Sequence, residues 1–189
     1  MSNPEAWLRG PLEGVPTQLQ PVAHALVQAL EDVERAAAPL SPEELRARPG
    51  GAASTGFHLR HLAGSTDRLL AYARGEQLSP EQLAFLRAEE DEGAGAAAAE
   101  LLAGVRAEED EGAGAGAAEL LAEVRAAVER ALAQLRATPE ATLDEPREVG
   151  RGRLPSSVRG LLYHVGEHTA RHAGQVVTTA RVVRGAGGA

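Results

Sequence analysis

The chain has 189 residues, enough for one compact domain with a real core and too few to make two full domains the natural reading. Its 27 acidic and 19 basic residues give a net charge of −8, a surface that repels phosphate backbones and speaks against a nucleic-acid partner. Cysteine is absent, so disulfides, thiolate metal sites and cysteine nucleophiles are excluded, and every basic residue is arginine. Aromatic residues make up only 3%, which leaves Leu, Val and Ala to build the core and suits packed helices better than sheets. The opening Met1-Ser2-Asn3-Pro4-Glu5 has no signal-peptide pattern, and no apolar run approaches the roughly 20 residues that span a bilayer. The expectation is a cytoplasmic protein with no membrane partner.

Residues 1–16 hold Pro4, Pro11 and Pro16 and read as an irregular leader. A first long helix is predicted from about Pro21 to Ala38, with Val22, Leu26, Leu30 and Val33 at helical spacing and Pro21 suited to a first turn. A short helix follows, its start marked by Ser41, Pro42 and a capping-box Glu44. After the break at Pro49-Gly50-Gly51, Ser54 or Thr55 caps a second long helix over about 56–74. The predicted inner stripe of that helix is His58, His61, Leu62, Ser65, Leu69 and Tyr72. Ser79-Pro80 starts another short helix, about 80–88.

Residues 87–105 and 106–124 are near-identical copies of one 19-residue unit, differing only at Ala97/Gly116 and Gly104/Glu123. Solenoids need about three or more repeats, so two copies look like a recent in-frame duplication. Inserting 19 residues into one helix turns its face by about 100°, so both copies cannot offer the core the same stripe. The first copy is expected to be an acidic, partly helical connection, and the second to lead into a third long helix over about 117–137. Residues 138–155, with three prolines and two glycines, read as a long connection. The last helix is predicted from about Ser157 to Val183, and residues 185–189 as a flexible tail. The fold class is therefore all-α: residues 17–184 form one four-helix bundle with short extra helices in its connections.

Five of the six histidines fall in two helices. His164, His168 and His172 are spaced by four, so each successive ring turns about 40° and climbs about 6 Å along one side of the last helix. The seam of that helix reads Leu161, Val165, His168, His172, Gln175 and Thr179, which puts two imidazoles where apolar packing belongs. Burying imidazoles without partners costs a few kcal/mol, and a shared metal ion removes that cost. An i, i+4 pair chelates one ion, and His61 from the facing helix is the best third ligand. His58 and His164 stay open between cavity wall, hydrogen-bond partner and extra ligand, and His24 on the first helix is a candidate for the cavity wall. Glu167 and Gln175 are candidates to orient ligand imidazoles. Arg60, Arg68 and Arg171 are candidates to meet an anionic substrate, although surface placement is the commoner fate of such residues. His164-Val165-Gly166-Glu167-His168 also matches the H-x-x-E-H pattern of inverzincin proteases, but residues 169–189 contain no acidic residue to serve as their third ligand. A di-iron carboxylate site is equally poor, since paired Glu-x-x-His motifs are missing.

The segments His164 to Gln175 (HVGEHTARHAGQ) and Gly56 to Ser65 (GFHLRHLAGS) resemble the last-helix and second-helix signatures of the DinB/YfiT superfamily. The resemblance covers roughly residues 17–184. It implies an up-down-down-up four-helix bundle, often a homodimer, with one divalent metal ion (zinc or nickel) on three histidines, here His61, His168 and His172. The superfamily takes its name from DNA-damage induction and includes transferases and isomerases that use a low-molecular-weight thiol. The expectation is a metal-dependent enzyme acting on a small-molecule substrate, by thiol transfer or by hydrolysis. The alternative is a stress-linked metal-binding or structural dimer without turnover.

Overall fold

The computed structural model describes residues 4–88 and 116–186. The chain is mostly helical. Its helices are α1 (Gln20–Ala37), α2 (Pro42–Arg46), α3 (Thr55–Arg74), α4 (80–88), α5 (Ala117–Ala137) and α6 (Val158–Ala186). The starts follow local chemistry. Ser41 Oγ accepts from the Glu44 amide at 3.2 Å while the Glu44 carboxylate accepts from the Ser41 amide at 2.8 Å, closing the capping box of α2. Ser54 Oγ accepts from the Phe57 amide at 3.1 Å and caps α3, which ends on Gly75 in the left-handed region at φ 78°.

The four long helices share one core. α1 packs against α5 and α6, and α3 packs against the same two. Leu26, Val33, Leu59, Leu62, Val124, Leu135 and Leu162 lie essentially sealed from solvent at its centre. α3 is buried on two sides, which explains why Leu59, Ala63, Thr66 and Leu70 join the stripe expected from the sequence. Ion pairs lace the outside. Arg130 holds Asp67 through two bonds of 2.9 and 2.7 Å between α5 and α3, and Arg125 reaches Glu34 between α5 and α1. No helix among the described residues is long and apolar enough to cross a membrane.

Three regions differ from the sequence reading or extend it. The segment before α1, where an irregular leader was expected, holds 3-10 turns at Ala6–Arg9 and Thr17–Leu19 and lies along that helix: the Ala6 amide donates to Gln28 at 2.9 Å and Arg9 grips Glu31 at 2.6 Å. The connection before α6 contains an antiparallel hairpin, β1 (Pro146–Val149) with β2 (Leu154–Ser157), where only a loop was expected. Pro146 and Pro155 are compatible with it because a two-stranded hairpin has only edge strands, and a proline whose missing N–H would face outward costs no ladder bond. Arg147 Nε donates to the Ala73 carbonyl at 2.9 Å and ties this hairpin to the end of α3. Finally, α6 extends through Ala186. Residues 89–105 of the first copy and 106–115 of the second, together with residues 1–3 and 187–189, lie outside the described residues; the second copy enters α5 at Ala117, as anticipated.

Candidate metal centre

The site forms where α3 and α6 face each other. On α3, the buried Leu59 and Leu62 set the helix's rotation, so His58 and His61 turn toward α6. On α6, Leu161, Leu162 and Val165 anchor the near end in the core. Gly166 lets α6 approach α1 closely: a Cβ there would come within 3.2 Å of Val22 Cγ1 and 3.4 Å of Val22 Cα. Thr66 and Thr169, both buried, meet between α3 and α6 with their hydroxyl oxygens 3.5 Å apart.

Three of the rings expected to meet do so. His61, His168 and His172 each offer a ring nitrogen, and these atoms all lie within 4.8 Å of one another. His61 Nε2 and His168 Nε2 are 3.0 Å apart, and the His172 ring centre is 4.5 Å from each of the other two. Zinc–nitrogen bonds of about 2.0–2.1 Å in a tetrahedral site separate ligand nitrogens by roughly 3.3 Å, so one ion fits the trio with small adjustments of the rings. Phe57 walls the site on the α3 side, its ring stacked on His61 at 5.8 Å and only 9° from parallel.

The electrostatics suit a cation. Burial is the main cause that pushes His168 down to about 4 and His172 down to about 3, with the neighbouring His61 adding to both. Both rings are therefore neutral at pH 7 and keep a nitrogen lone pair for an ion. A set of neutral imidazoles fits a borderline divalent ion such as zinc or nickel.

The remaining candidates are placed around the trio. His58, 6% exposed, puts Nδ1 3.3 Å from His172 Nδ1 and is itself shifted down, first by burial and then by His61. It therefore sits behind a trio ring. His164 lies on the outer side, with Nδ1 3.0 Å from Glu167, and Glu167 turns to His164 and Arg171 instead of to a ring of the trio. Gln175, expected on the seam, is exposed: the buried face of α6 runs instead through Val165, Thr169, Ala173, Val176 and Ala180. His24 is not part of the site either, since its Nε2 bonds the Gly10 carbonyl at 2.9 Å. Arg68 is buried and lines a cavity of about 320 Å³ between α3, α4 and α5, on another side of α3, and Arg60 is half-buried on α3. Arg171, expected from sequence to meet an anionic substrate or to lie on the surface, is exposed. Its contact with His168 Nδ1, at 2.8 Å, is a feature that sequence spacing alone did not expose.

A mostly helical chain brings three imidazoles from two helices close enough to share one metal ion. A family model described as the DinB superfamily matches residues 25–176, so the chain belongs to the DinB superfamily. No curated protein sequence matches it significantly.

Proposed function

We propose that this protein is a metal-dependent enzyme that holds one zinc or nickel ion with His61, His168 and His172 and acts on a small-molecule substrate with a low-molecular-weight thiol as its partner. When bound, the ion supplies an undiminished double positive charge, suited to holding a thiol as thiolate or to acidifying a water. The observation that carries this reading is the division of labour among the histidines. Three converge, while His58 is engaged behind His172 and His164 is engaged by Glu167. Neither fills a fourth position, which leaves it to an outside molecule. Phe57 shields one flank from water, and the rim at His164, Glu167 and Arg171 is open to solvent. We read the four long helices as the up-down-down-up bundle, the working unit as a homodimer and the compartment as the cytoplasm. Thiol transfer ranks ahead of hydrolysis because the superfamily's better-defined chemistry is of that kind.

The test is a screen of zinc- and nickel-loaded protein against low-molecular-weight thiols paired with electrophiles, and against simple esters and amides. The reading predicts metal-dependent thiol consumption that disappears in a folded His168→Ala variant. Stoichiometrically loaded protein that turns over neither class would reduce the site to metal binding without catalysis.

A further inference from the structure

Arg171 follows His168 by one turn of α6. Its Nη2 lies 2.8 Å from His168 Nδ1 and its Nη1 3.5 Å from Glu167 Oε1. A guanidinium has only donors and stays protonated, so His168 Nδ1 must be the acceptor in this contact. A neutral imidazole carries a single N–H, which for His168 then sits on Nε2, the atom 3.0 Å from His61 Nε2. Holding an ion through Nε2 requires the opposite tautomer, with the lone pair on Nε2 and the proton on Nδ1. That proton would point straight at the Arg171 donor. The Arg171 contact and coordination through Nε2 exclude each other, so loading the site turns the guanidinium away from the ring.

The surroundings limit where it goes. The Arg171 and Glu167 side chains are 52% and 55% exposed, so the guanidinium stays at the open rim. Among the described residues Glu167 is its one carboxylate partner, and that carboxylate is already shared with His164 Nδ1 at 3.0 Å. A cation with half a partner, one turn along the helix from an ion ligand, is placed to recognise negative charge on whatever takes the ion's open position.

We propose that Arg171 is a specificity residue that rests on His168 in the metal-free protein, is released when the trio is loaded, and then selects small molecules that combine a metal-binding atom with a second negative group, such as a thiolate carrying a carboxylate. This rests on the reading of the trio as the ion site.

The experiment uses the full chain loaded with Co²⁺ and follows the sulfur-to-cobalt charge-transfer absorption as mercaptoacetate or neutral 2-mercaptoethanol is added. Wild type should bind mercaptoacetate about tenfold more tightly, the effect of one charge-assisted hydrogen bond. Arg171→Gln should lose that preference while binding Co²⁺ at least as tightly as wild type, because the competing donor is gone. Glu167→Gln, which removes the competing carboxylate, should widen the preference. Chelation by mercaptoacetate's own two groups would survive Arg171→Gln; a preference retained there, or weaker Co²⁺ binding by that variant, overturns the proposal and leaves the ion site standing. Absence of a Co²⁺ spectrum from wild type overturns the ion site and this proposal together.

Discussion

His58 and His172 meet through like atoms, Nδ1 to Nδ1 at 3.3 Å, so one of the two nitrogens carries the proton of that bond. With His172 turned to an ion through Nε2, its Nδ1–H is the donor and buried His58 the acceptor, the arrangement by which a neighbouring group fixes a ligand ring's tautomer and orientation. Substituting His58→Ala should weaken zinc binding by roughly 10–100-fold without abolishing it, as loss of such support commonly does. Competition with a chromophoric chelator measures this, and unchanged affinity would assign His58 to the wall of the site alone. The spacing of His168 and His172 was readable as a chelating pair because four residues return a helix to nearly the same side. The tautomers were not, because they depend on Arg171 and His58, whose contacts with His168 and His172 arise only once the helices have been packed and their side chains turned.

At the scale of elements, two of the glycines of α6 have opposite roles. Gly166 sits against α1, where a Cβ would crowd Val22 Cγ1 at 3.2 Å, and Gly174 has nothing within 4 Å. Gly166→Val should destabilise the fold by about 1–3 kcal/mol through overpacking, whereas Gly174→Ala should stabilise it by up to about 1 kcal/mol through helix propensity. Thermal unfolding of both variants checks the pair, and equal shifts would contradict the close approach at Gly166. Helix positions were largely legible because their starts carry explicit signals, the Ser41–Glu44 box and the Ser54 cap, and because apolar spacing in α1 and α5 is regular. The seam of α6 was misread at Gln175. Small residues, Thr169, Ala173 and Ala180, carry the buried face there, and a search for large apolar side chains passes over them. The hairpin at 146–157 escaped because each strand is only four residues long and proline-bearing, so alternation had no length in which to show.

For the whole molecule, acid stability follows from the same buried rings. His168 and His172 have folded pKa values of about 4 and 3, below their ordinary value of 6.5, so as pH falls the unfolded chain takes up protons first. Their neutral burial favours the folded state fully above about 6.5, and that contribution is lost as pH drops through about 4 and then 3. The metal-free protein should therefore show a melting temperature that declines from about pH 6.5 downward, and His172→Ala should flatten the part of the decline above the carboxylate range. A variant profile parallel to wild type would place the cause elsewhere. The near-identical copies at 87–105 and 106–124 fall between the two histidine segments; residues 87–88 belong to α4, residues 117–124 begin α5, and residues 89–115 lie outside the described residues.

The central claim, one divalent ion shared by imidazoles from α3 and α6, is tested most directly by native mass spectrometry after equilibration of metal-stripped protein with zinc at pH 7. Wild type should carry one ion per chain, and His61→Ala, His168→Ala and His172→Ala, each shown to be folded, should carry none at the same free zinc. Wild type without bound zinc and equally without nickel, or variants that all retain the ion at wild-type occupancy, would contradict it.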